Sequence, residues 1–191
     1  MLSERTRARI SILICGLAAL PWLDAGAFAH EIGTTRVSVT ALNHSRFELD
    51  VVTDATSLLE KMETVAGEPP SATDDPLALR QRLEILAPIF QQRVAIWFDG
   101  QPARPSLSWS VAPSGAIGGG QIATIRLSGD VPPSARSLTW KYAWTFTSYA
   151  LIDRRSAPGA TTQWLEGDQT SGPLLLDAGT PAPSRVRLAG R

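Results

Sequence analysis

Apolar and polar residues alternate over most of the chain from position 37 onward, with one interval where the period lengthens. Val37, Val39 and Ala41, then Phe47, Leu49 and Val51, recur two apart with polar neighbours between them, which predicts two half-buried strands. Asn43-His44-Ser45 separates them and carries turn chemistry, so the pair reads as a hairpin. The spacing then becomes helical. Thr53 or Asp54 can cap a helix whose inner face holds Leu58, Leu59, Met62 and Val65, and Gly67 ends it before the Pro69-Pro70 loop. Asp74 or Asp75 ahead of Pro76 starts a second helix. Leu79, Leu83 and Leu86 form its stripe, Ala87 and Phe90 extend it, and Pro88 ends or kinks it.

Period two returns at Val94, Ile96 and Phe98, turns at Asp99-Gly100, and resumes at Leu107, Trp109 and Val111. Gly115 to Gly120 reads as a flexible loop. It has no Lys and leads into a strand pattern at Ala123, Ile125 and Leu127, so it is no phosphate cradle. The densest alternation is Leu138, Trp140, Tyr142, Trp144 and Phe146, which predicts one strand over 138–147 with an aromatic face. Short strands follow at 162–165 and 174–176. About seven or eight strands separated by turns predict a mainly β fold. The form expected is an antiparallel, immunoglobulin-like β-sandwich with two inserted helical segments.

The N-terminus follows a different pattern. Arg5, Arg7 and Arg9 precede a mostly apolar stretch from Ile10 to Leu23, and Ala27-Phe28-Ala29 supplies small residues where a signal peptidase reads. Residues 1–29 are therefore read as a signal peptide, residues 30–177 as the domain and residues 178–191 as a flexible tail rich in Pro, Gly and Arg. The apolar stretch is shorter than the roughly 20 residues a spanning helix needs. The expected location is periplasmic or extracellular, with no transmembrane segment after processing. The single Cys lies inside the leader, so no disulfide is expected in the processed chain.

Composition narrows the chemistry. The 191 residues carry 18 basic and 18 acidic side chains, a balance that speaks against nucleic acid as a partner. Two His leave little material for a Ser/His/Asp triad, and no Gly-x-Ser-x-Gly occurs. The carboxylate pairs Asp74/Asp75 and Glu166/Asp168 sit among turn residues, where capping and solvation account for them. An enzyme is not expected. Processing after Ala29 would place a free amine beside the imidazole of His30, and His44 could add a third nitrogen for Cu(II) or Ni(II). A simple hairpin separates the two His by about 25 Å or more at ~3.3 Å per residue, which counts against the pair. An exposed Trp face on Trp140 and Trp144 would instead suit carbohydrate.

The Ala-His-Glu-Ile start after the leader, the Phe98-Asp99-Gly100 turn and the Trp140-x-Tyr142-x-Trp144-Thr145-Phe146 strand resemble the extracytoplasmic N-terminal region of HupE/UreJ-like membrane proteins. In that family the region precedes transmembrane helices, and some members are associated with nickel supply. This sequence has no such helices, so no transport residue carries over. The resemblance implies an accessory domain that binds a membrane transporter or another envelope protein.

Overall fold

The computed structural model describes residues 35–115, 119–155 and 159–176. The predicted signal peptide, His30 and the tail at 178–191 lie outside them. Among the described residues there are ten strands and three helices. The hairpin β1 (Arg36–Leu42) and β2 (Arg46–Asp54) opens the fold. The Asn43 side-chain oxygen accepts from the backbone N–H groups of Ser45 and Arg46, both at 2.9 Å, and so builds the turn that alternation alone suggested.

Helix α1 (Ala55–Ala66) starts on Asp54, whose carboxylate accepts from Ser57 N–H at 2.7 Å, and ends on Gly67 with φ of +73°. Helix α2 (Pro76–Ile85) is capped by Asp75. The second predicted segment is broken at Leu86, and α3 (Ala87–Gln91) resumes with Pro88 in its first turn. A fully buried carboxylate, Glu63 of α1, ties this region together. It accepts from Ser71 N–H (2.8 Å), Ser71 Oγ (2.5 Å) and Arg82 Nε (3.0 Å), while Arg82 also pairs with Glu68.

The remaining strands are β3 (Val94–Phe98), β4 (Gln101–Pro102), β5 (Ser106–Pro113), β6 (Gln121–Asp130), β7 (Ser137–Tyr142), β8 (Ser148–Asp153), β9 (Thr161–Glu166) and β10 (Leu174–Leu175). They form a six-stranded sheet in the order β5-β6-β2-β1-β8-β9 and a four-stranded sheet in the order β10-β7-β3-β4. Asp99 and Gly100 both have positive φ, as a two-residue turn between β3 and β4 requires.

Alternating side chains from both sheets and all three helices enter one hydrophobic cluster. Phe47 meets Phe98 edge-on with centroids 5.4 Å apart, and Tyr142 meets Tyr149 at 5.6 Å, so aromatic pairs join the two sheets. Phe90 of α3 meets Trp109 of β5 at 5.0 Å, which brings the helices onto the larger sheet. Burial pushes the Tyr149 hydroxyl up to about 12, against the smaller opposing effects of Trp140 and the Tyr142 backbone.

Two expectations are corrected here. The larger sheet is mixed rather than antiparallel, because β1 pairs parallel with β8 from Arg36↔Ala150 to Val39↔Asp153. That pairing spans most of the domain in sequence, so local alternation carries no trace of it. The aromatic strand is also shorter than predicted. β7 stops at Tyr142, residues 143–147 are irregular, and β8 begins at Ser148. Among the described residues no helix is long and apolar enough to cross a membrane.

Candidate functional site

The end of β7 positions the most distinctive surface feature. Ala143 N–H donates to Arg93 C=O at 2.8 Å, holding the chain against the start of β3 after regular pairing has ceased. Trp144 then turns inward. It is 3% exposed, its indole Nε1 donates to Phe90 C=O at 2.9 Å, and its ring stacks on Phe90 with centroids 6.4 Å apart. Thr145 is buried as well, and its hydroxyl oxygen accepts from Thr147 N–H at 3.2 Å in a local turn. Between these two threonines Phe146 points outward and is 84% exposed. Phe146 is thus a large apolar ring left in solvent beside buried, hydrogen-bonded neighbours.

Two clefts share Phe146, Arg93 and Ala143 as lining. The larger, of about 560 Å³, lies along β3 and the end of β7, with Trp97, Lys141 and Asp168 among its walls. The smaller, of about 340 Å³, opens toward α1, with Lys61, Val65 and Trp144 among its walls. Aromatic faces place two of the cations. The Arg93 guanidinium lies over the Trp144 ring, 5.2 Å from its centroid, and Lys61 Nζ lies 5.8 Å from the Phe146 centroid. Lys61 also donates to Trp144 C=O at 3.1 Å.

Lys141 pairs with Asp168 at 3.3 Å, so that part of the wall is locally neutral. By contrast, among the described residues neither Lys61 nor Arg93 forms an ion pair with a carboxylate. Chemically the arrangement offers apolar walls and two cationic donor groups. That suits recognition of a chain with both apolar and anionic groups.

The residues singled out in the sequence fall elsewhere. His44 is exposed in the β1–β2 turn, and His30 lies outside the described residues. Among the described residues no three His, Cys, Asp or Glu are grouped as metal ligands would be. Asp75 caps α2, and Asp168 faces Lys141. Trp140 and Trp144 are buried, so they form no carbohydrate platform, and among the described residues the large exposed aromatic side chains are Phe146 and Trp164.

Sequence reasoning missed Phe146 as a surface residue because its position continues the aromatic alternation without a break. The flanking Thr145 and Thr147 were the available signal, since threonine hydroxyls can hold a local turn. Comparison of the chain with family models, with curated proteins and with solved structures returns no match, so the HupE/UreJ-like resemblance rests on the sequence motifs alone.

Proposed function

We propose that this chain is a non-enzymatic, exported accessory domain that binds a membrane or envelope partner protein, with the Phe146 clefts as its binding surface. In this reading the two facing sheets act as a sandwich-type scaffold, and the leader-like N-terminus directs the domain out of the cytoplasm. One observation carries the proposal: Phe146 is 84% exposed while Trp144 and Thr145 beside it are buried. The turn thus holds an aromatic side chain in water, next to two concave surfaces. Aromatic and Arg side chains at the centre of a concave surface are the residues that most often dominate protein–protein binding energy.

Photocrosslinking in intact envelopes tests this. A photoreactive phenylalanine analogue at position 146 is expected to yield a discrete crosslinked species, whereas the same analogue at exposed Leu77 is expected to yield none. Phe146→Ser should leave stability within about 0.5 kcal/mol of the parent, as an exposed site allows. Failure to crosslink at 146, or the same pattern from 77, would remove the cleft as the binding surface.

A further inference from the structure

Resting on that reading, we propose that the occupant of the clefts is an extended acidic peptide segment of a partner protein. Its carboxylates would meet Arg93 and Lys61 while its apolar side chains seat on either side of Phe146.

Charge complementarity carries the assignment. Among the described residues Arg93 and Lys61 have no carboxylate partner, although each lies over an aromatic ring. The Arg93 guanidinium lies over the Trp144 ring, and among the described residues its N–H groups make no hydrogen bond, which leaves them as donors available to a ligand. A planar guanidinium fork suits bidentate recognition of a carboxylate. Lys61 spends one donor on Trp144 C=O and retains the others.

The clefts also favour a chain over a compact anion. They share Phe146 and Arg93, and together they reach from α1 to the β3–β7 surface, so one extended segment can engage both. An anionic membrane is less well matched. Glu60 and Asp168 stand in the lining of the two clefts and interrupt the single-sign field that attracts acidic lipid, whereas an extended peptide can set its carboxylates on Arg93 and Lys61 and turn uncharged side chains toward Glu60 and Asp168.

The probe is a fluorescein-labelled peptide alternating glutamate with leucine and phenylalanine, compared by polarisation with the same peptide carrying glutamine for glutamate. The acidic peptide is expected to bind, more weakly as salt rises, and the glutamine peptide to bind at least about tenfold more weakly. Arg93→Gln should weaken binding by about tenfold or more, and Arg93→Lys should restore part of it, since charge returns without the fork. Lys61→Gln, at a half-buried position of α1, provides a second variant should Arg93→Gln disturb Trp144. Near-ultraviolet circular dichroism checks that packing.

Equal binding of the two peptides would overturn the proposal, as would indifference to both substitutions. Binding of phosphatidylglycerol vesicles without binding of the acidic peptide would overturn it in favour of lipid. Absence of peptide binding alongside a crosslink at position 146 would overturn the acidic-peptide assignment and leave the cleft as a partner surface of other chemistry.

Discussion

Glu63 holds a carboxylate inside the protein on the strength of its donors. Burial alone would push its carboxyl up. The hydroxyl and backbone N–H of Ser71, with the Arg82 guanidinium, outweigh that and hold it below its ordinary value of 4.5. The sign of the pH effect follows. A depressed carboxyl adds stability that is fully present above 4.5 and is lost as pH falls through its lower value in the folded state. Glu63→Gln removes the charge at every pH and leaves buried donors poorly matched, at a cost of about 1–3 kcal/mol near neutrality. Urea unfolding of parent and variant should therefore show a gap that narrows as the solution is acidified. A gap of constant size would place the contribution in packing rather than in charge.

At the scale of elements, the helices were the most legible part of the sequence. Asp54, Gly67, Asp75 and Pro76 act through the backbone groups next to them, so their roles do not depend on distant packing. Asp54→Ala and Asp75→Ala should each cost about 1 kcal/mol in urea unfolding, since each leaves a helix-terminal N–H without its side-chain acceptor. A negligible loss in both would mean that solvent satisfies those groups equally well.

Strand reading succeeded where alternation and turn residues coincide, as at Asn43-His44-Ser45 and Asp99-Gly100. It failed at 143–147 for a physical reason. Alternating burial breaks there, since Trp144 and Thr145 are buried while Phe146 and Thr147 are exposed, and the burial of Trp144 comes from contact with α3 and not from a continued strand. Strand β8 was hidden behind the same segment, and its parallel partner β1 lies at the other end of the domain. The candidate site inherits that failure, because Arg93, Lys61 and Phe146 come from three separate segments that no local pattern connects.

For the molecule as a whole, the two sheets must be held in one arrangement for the clefts to keep their shape. Apolar contact between them is non-directional, whereas Arg155 supplies a directional tie. Its guanidinium donates to Leu42 C=O at the end of β1 (3.2 Å) and to Leu175 C=O in β10 (2.9 Å), so it touches both sheets. Asp153 on β8 holds that guanidinium through contacts of 2.8 and 2.5 Å, and the Arg155 hydrogen bonds keep the Asp153 carboxyl below its ordinary value despite partial burial.

Asp153→Asn should release the tie, costing about 1–3 kcal/mol at neutral pH. The effect should also be local in a way that cavity formation would not be. Amide exchange at Leu174 and Leu176, which pack along β7 and Arg136, should accelerate by about tenfold or more, while the β2–β6 ladder stays protected. Because the Asp153 carboxyl is depressed, its contribution is present above 3.8 and disappears as pH falls through the folded value, so parent and variant should converge in acid. Uniform acceleration across both sheets would show that Asp153 supports the fold globally. Unchanged exchange at β10 would show that the aromatic pairs alone fix the sheets against each other.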